Sequence, residues 1–177
     1  MGLRCSIYKN AWDEASTNYV DVLAILNGIK SERWGNTIEE IRTCVDKTAR
    51  DRLKMNIPAA CFSGTFKVTR VYSSKKGKYE DKARLDTNVV DYTQLVVIDI
   101  DIYSEKLVNR LRNMLVDDPY VFAYFKSPSG GLKILYKVDS EAIHHKEFAF
   151  EQIKSWVEDN YSVEVDKSGK NMSRLCF

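Results

Sequence analysis

Residues 95–102 read Leu-Val-Val-Ile-Asp-Ile-Asp-Ile, an apolar and largely β-branched run interrupted by acids at alternate positions. A short run of this kind without glycine or proline predicts a buried strand. Side chains alternate across a strand, so Val96, Ile98, Ile100 and Ile102 share one face, and Asp99 and Asp101 share the other with Val97. The first face is core and the second is a site. Two ionised carboxylates roughly 7 Å apart, at an effective dielectric near 20, repel by about 2 kcal/mol before any desolvation cost. A divalent cation offsets that repulsion, and oxygen donors on alternate strand positions suit Mg²⁺ or Mn²⁺ shared with substrate phosphates. The competing reading is a strand end where both acids reach water; the apolar run around them favours the site.

A chain of 177 residues can bury one good core, or two small lobes sharing an interface, and reads as one compact unit. No stretch is long or apolar enough to cross a membrane, and the first residues lack a secretory apolar segment, which points to the cytoplasm. Cys5, Cys44, Cys61 and Cys176 are far apart without Cys-x-x-Cys spacing, and read as reduced, mostly buried small hydrophobes. A formal net charge of +2 does not announce nucleic acid, so any such binding has to come from a local patch. Arg70, Lys75, Lys76, Lys78, Lys82 and Arg84 form one candidate, either a solvated surface turn or a contact to a template backbone.

Residues 3–9 predict a first strand, followed by polar turn sequence to Asn18. Tyr19, Val22, Leu23 and Leu26 recur at helical spacing up to Asn27-Gly28. Thr37 and Glu40 have capping-box spacing, and Ile38, Ile41, Cys44 and Val45 give the helix they open its stripe, ending before Ile57-Pro58. Residues 59–62 and 65–72 read as strands around Ser63-Gly64, and 73–84 as a charged loop. After the acidic strand, Ser104 opens a helix with Leu107, Val108, Leu111, Met114 and Leu115 on its apolar face. Residues 121–126 and 132–138 form a hairpin around Ser127-Pro128-Ser129-Gly130-Gly131. A helix over 141–160 buries Ala149, Ile153, Trp156 and Val157, and 162–166 is a last strand. His144 and His145 are adjacent, point in different directions on a helix, and read as surface residues rather than a metal pair.

This order predicts an α+β chain, with an amino-terminal α/β lobe over residues 1–90 and a βαββαβ, ferredoxin- or RRM-like palm lobe over residues 91–177. There the first and third strands are neighbours, so Lys133 falls beside Asp99 and Asp101 while Leu132, Ile134, Tyr136 and Val138 face the helices. Asp166 adds a third acid at the sheet margin. Acids for metals and lysine for phosphate on one open face make the layout of a nucleotidyl-transfer palm.

Four motifs go together with that layout: Ser-Gly-Thr-Phe at 63–66, Val-Ile-Asp-Ile-Asp at 97–101, Ser-Pro-Ser-Gly-Gly-Leu-Lys at 127–133, and Asp-Lys-Ser-Gly-Lys-Asn-Met-Ser-Arg-Leu-Cys-Phe from 166 to the end. Together they resemble the archaeo-eukaryotic primase superfamily, the primase-polymerases, and within it the branch of VirE amino-terminal domains found in mobile and phage-like elements. The resemblance implies a nucleotidyltransferase acting on nucleoside triphosphates and a single-stranded DNA or RNA template during replication, with Mg²⁺ or Mn²⁺ as cofactor. It implies that Asp99, Asp101 and Asp166 are the catalytic metal ligands, that Lys133 stands where the family's second motif has a phosphate-binding histidine, and that Arg174 is a further phosphate contact. Ser127, Ser129 and the amides of Gly130 and Gly131 read either as an anion cradle or as an ordinary hairpin turn. Lysine keeps a cation for phosphate but not histidine's planar, titratable contact, which opens the alternative of a non-catalytic nucleic-acid-binding module of a replication or mobilisation protein. A phosphatase of the haloacid-dehalogenase type also opens on an apolar strand ending in Asp-x-Asp, but its doubly wound parallel sheet does not suit this element order. The apolar run at Phe177 reads as the edge of an amino-terminal module, with a helicase-like ATPase as the expected downstream partner.

Overall fold

The computed structural model describes residues 2–15, 18–102 and 104–177, a mixed α+β chain built on small antiparallel sheets. In the first half, β1 (Arg4–Tyr8) lies between β2 (Asn18–Asp21) and β3 (Ala59–Cys61). Asp21 starts α1 (Val22–Lys30) by accepting a hydrogen bond from the Leu23 amide at 2.8 Å. Tyr19 therefore belongs to β2, and Ile25 is buried where Leu23 is exposed. The single helix expected from Thr37 onward is two helices, α2 (Gly35–Thr43) and α3 (Lys47–Asn56). Asp46 is the reason: its carboxylate accepts from the Ala49 amide at 2.7 Å and opens a new helix, leaving Val45 exposed outside the stripe. Thr37 caps nothing, since α2 begins two residues before it.

β4 (Gly64–Phe66) does not form a hairpin with β3; it pairs with β7 (Val89–Tyr92). The stretch expected as a charged loop contains β6 (Lys78–Lys82), which pairs with β5 (Thr69–Ser73) around Gly77. Gly77 has φ 63°, a conformation that glycine adopts without a Cβ penalty.

The second half runs β8 (Leu95–Ile100), α4 (Glu105–Val116), β9 (Val121–Lys126), β10 (Leu132–Lys137) and α5 (Phe150–Tyr161). Its sheet has the order β8-β10-β9 with antiparallel pairings, so the first and third strands are neighbours, and among the described residues the parallel sheet of the phosphatase alternative is not formed. Val96, Ile98, Ile100 and Ile102 pack with Leu132, Ile134 and Tyr136 beneath Leu111 and Leu115 of α4 and Phe150 and Val157 of α5. On the opposite face Leu95, Val97 and Leu135 meet Cys5, Val22, Ala60 and Phe62 from the first half, together with Cys176. The expected strand parity holds on both faces, and the two halves share a core.

The last expected strand is not formed. Ser162 leaves α5 in the left-handed region (φ 53°, ψ 54°), and Asp166 at once caps a 3₁₀ turn, Lys167–Lys170, by accepting from the Ser168 amide at 2.8 Å. What remains beside β8 among the described residues is one backbone bond, from the Asp166 amide to the Asp99 carbonyl at 2.9 Å. None of the helices among the described residues is long and apolar enough to cross a membrane.

The helix expected over 141–160 is composite: a 3₁₀ turn (Ala142–His144) and a π turn (His145–Ala149) precede α5. The π turn carries His145 inward, against its reading as a surface residue, and it is wholly buried. Its Nδ1 is 2.8 Å from the Tyr92 hydroxyl, and its Nε2 has no partner among the described residues. Burial pushes the imidazole pKa down to about 4. Because the folded pKa lies below the unfolded value of 6.5, this histidine's contribution is complete above about pH 6.5 and is lost as pH falls towards 4. The shift corresponds to ~3 kcal/mol. Urea unfolding at pH 7.5 and 4.5 is expected to show a larger loss of stability for wild type than for His145→Phe, by about 2 to 3 kcal/mol; equal losses would contradict the assignment. Trp156, expected in the core, is 42% exposed, and its Nε1 donates to Asp118 at 3.4 Å. The hydroxyls of Tyr136 and Tyr161 donate to the same carboxylate, fastening α5 to the turn after α4.

Candidate functional site

Asp99 lies on β8, and Asp101 lies one residue past the strand's end, exposed. The antiparallel register sets Lys133 of β10 directly opposite Asp99. Its Nζ donates to Asp99 Oδ2 in an ion pair whose side chains are 6% and 23% exposed. Burial disfavours the ammonium, but the Cys176 sulfur and the Asp99 carboxylate outweigh burial and raise its pKa, so Lys133 stays charged. Among the described residues no protein donor reaches Asp99 Oδ1 or either oxygen of Asp101.

The turn joining β9 to β10 abuts this spot. Its amides are partly committed internally: Ser127 donates to the Gly131 carbonyl at 2.7 Å and Gly130 to the Ser127 carbonyl at 3.0 Å. Gly130, at φ 99°, thus uses its amide to close the turn and does not offer it to an anion. Ser127 is buried, Ser129 is exposed, and Arg42 of α2 donates to the Ser127 carbonyl at 3.3 Å. Gly131 sits so close to the end of β8 that a Cβ there would lie 2.8 Å from the Ile100 carbonyl oxygen and 3.6 Å from Asp101 Cα. Gly131→Ala is therefore expected to push the turn away from Asp101 and to cost about 1 to 3 kcal/mol in chemical denaturation. An unchanged unfolding midpoint would show that the contact yields freely.

The carboxy-terminal segment closes the site from the other side. The Asp166 carboxylate faces Ser168, whose amide and hydroxyl donate to its two oxygens. Burial opposes its charge, but the Ser168 bonds, Arg174 and Lys133 prevail and hold the carboxyl below its usual range. Beyond it Cys176 exchanges two backbone bonds with Ala60, at 2.9 and 2.8 Å, tying the segment to β3. Phe177 then lies under Lys54 of α3, whose Nζ is 5.9 Å from the ring centroid. The Lys54 pKa is lowered first by burial and then by repulsion from Lys133, against the pull of Asp99 and Asp101. This lysine escaped sequence reasoning: nothing in the local pattern of 47–56 links it to residues on β8.

Asp99, Asp101, Lys133, Lys54 and Arg174 thus act on one region, with Asp166 at its margin. The donors are carboxylates alone, without thiolate or imidazole, and two of them are what Mg²⁺ takes when phosphates complete its shell. Among the described residues no three His, Cys, Asp or Glu side chains gather as a metal-holding group, so Asp166 does not close a three-acid cage with Asp99 and Asp101. A cavity of about 750 Å³ lies elsewhere, between α1 and α2 on one side and β9 and α4 on the other. It is lined by Trp34, Arg42, Arg112, Tyr124 and Lys126, among others, and does not include Asp99 or Asp101.

A family model described as BT4734-like, N-terminal domain, matches residues 52–177, a span that takes in Lys54, the acidic strand, the turn at 127–131 and the carboxy-terminal segment. No curated protein and no solved structure matches the chain.

Proposed function

This chain belongs to the family of BT4734-like N-terminal domains, and from that premise we propose that it is a primase-polymerase-like nucleotidyltransferase domain, akin to the VirE amino-terminal branch, acting on nucleoside triphosphates and a single-stranded template in replication of mobile or phage-like elements. The observation that carries the reading is the register that pairs Lys133 with Asp99 beside Asp101, with Lys54 and Arg174 bearing on the same surface. Asp99 and Asp101 would hold Mg²⁺ or Mn²⁺, which when bound supplies charge neutralisation and activation for phosphoryl transfer. Lys133, swinging from Asp99 Oδ2 to a triphosphate oxygen, keeps a charge-assisted hydrogen bond throughout. Lys54 and Arg174 add positive charge for the remaining phosphates. Extension of a labelled primer on single-stranded DNA or RNA, with Mn²⁺ and nucleoside triphosphates, tests the reading. Extension by wild type and none by Asp101→Asn supports it.

One observation favours a second reading. The Lys133–Asp99 pair is largely buried and already neutralises one of the two acids. A site so compensated needs no metal, and the domain would then be a non-catalytic nucleic-acid-binding module of a replication or mobilisation protein. Triphosphate-independent binding of single strands by a chain that never extends a primer would select it.

A further inference from the structure

The hairpin of β5 and β6 forms a two-stranded sheet of its own. Its register sets Tyr72 directly opposite Tyr79, with ring centroids 5.2 Å apart in an edge-to-face arrangement. Strand periodicity places Arg70 on the same face, and its guanidinium lies 5.7 Å from the Tyr79 ring centroid. The opposite face is the one turned to the body of the chain, where Lys82 and Arg84 pair with Glu14 and Lys76 with Glu80. The two tyrosines remain 56% and 61% exposed. At the tip, Lys75 is exposed and has no ion-pair partner among the described residues, whereas Lys78 falls on the opposite face with Glu80 and Lys82. Residues 67–84 hold seven basic and two acidic side chains in a chain whose net charge is only +2, so the hairpin concentrates positive charge that the rest of the molecule lacks.

A cross-strand tyrosine pair by itself stabilises a hairpin. Here the rings stay open to solvent and are bordered by cations, and a pattern of exposed π-faces with flanking positive charge suits unpaired bases on a phosphate backbone. A lipid surface is a poorer match, because the face carries Arg70, Tyr72, Tyr79 and Asp81 and no aliphatic side chain. We propose that this hairpin is an arm for single-stranded nucleic acid, with Tyr72 and Tyr79 stacking on bases and Arg70 and Lys75 meeting phosphates. The partner class rests on the function proposed above; the site shares no residue with the acidic one.

Anisotropy titrations of the full chain with labelled oligothymidylate, an abasic oligomer of the same length and a duplex, alongside sedimentation with phosphatidylglycerol–phosphatidylcholine vesicles, test the assignment. Tyr72→Ala/Tyr79→Ala is expected to weaken oligothymidylate binding by about 10-fold or more, to the level of the abasic oligomer. Tyr72→Phe/Tyr79→Phe, which keeps both rings, should bind like wild type, and Arg70→Ala/Lys75→Ala should reduce the salt dependence. The inference is overturned if the alanine pair binds like wild type, if wild type does not distinguish bases from abasic sites, or if the substitutions alter binding to vesicles and not to the oligonucleotide. Triphosphate binding is read on the same proteins. If it is intact while the hairpin variants bind oligothymidylate normally, the inference fails alone; if it is absent while the hairpin variants lose oligothymidylate, the nucleotidyl-transfer reading fails and the arm stands.

Discussion

Asp99→Asn/Asp101→Asn is expected to lose metal-dependent triphosphate binding and primer extension, while Asp101→Asn alone should lose most of both without unfolding the chain. Asparagine keeps the shape and one carbonyl oxygen but no charge, and each lost charged ligand is worth about 2 kcal/mol or more, roughly 30-fold in affinity. The two positions differ in what they do for the fold. Asp101 is exposed beyond the end of β8, so its replacement should leave the thermal midpoint where it was. Asp99 accepts from Lys133, which is only 5% exposed, and its replacement strands a buried ammonium beside a neutral amide. A loss of about 1 to 3 kcal/mol in folding stability follows for Asp99→Asn. Calorimetry with MnCl₂ and a non-hydrolysable triphosphate, together with thermal unfolding, separates the two effects. Undiminished triphosphate affinity in a folded Asp101→Asn protein would remove that carboxylate from the site.

The acid pair and its lysine were legible in the sequence because a strand buried on one face writes its parity into every second residue. Leu132, Ile134 and Tyr136 fixed which way Lys133 points, and the short turn at 127–131 brought its strand back beside β8. Residues 162–166 show how far such a pattern reaches. Val165 is buried and Val163 packs against the same core, as alternation implies, yet the ladder fails because the Asp166 side chain bends the backbone into a 3₁₀ turn. Burial follows from hydrophobicity, whereas pairing depends on where a polar side chain finds its hydrogen bonds. The same cause split the helix at Asp46. His145 departs from an α-helical period because its segment is a π turn, which shifts the inward face by a residue. The hairpin of β5 and β6 was hidden by the charged sequence of β6, since it is held by Gly77 and the tyrosine pair and not by an apolar stripe. Lys54 had no signal, because contacts between distant segments bring α3 towards the acids.

Lys133→Ala carries the other large effect. In the chain as folded its ammonium covers Asp99 Oδ2, the place a cation or a phosphate-bound cation would approach. If Lys133 is a phosphate ligand, removing it deletes a charge-assisted hydrogen bond and weakens triphosphate binding by about 1.5 to 3 kcal/mol, roughly 10- to 150-fold. Uncovering Asp99 should at the same time tighten binding of the bare cation, since a competing positive charge is gone. If Lys133 is a counter-ion only, the second effect appears without the first. The decisive measurement is a sequential calorimetric titration, Mn²⁺ first and a non-hydrolysable nucleoside triphosphate second, into wild type and Lys133→Ala. The account predicts metal binding as tight as wild type or tighter, with triphosphate affinity down at least about 10-fold. Metal binding that strengthens while triphosphate affinity stays at the wild-type value would contradict it.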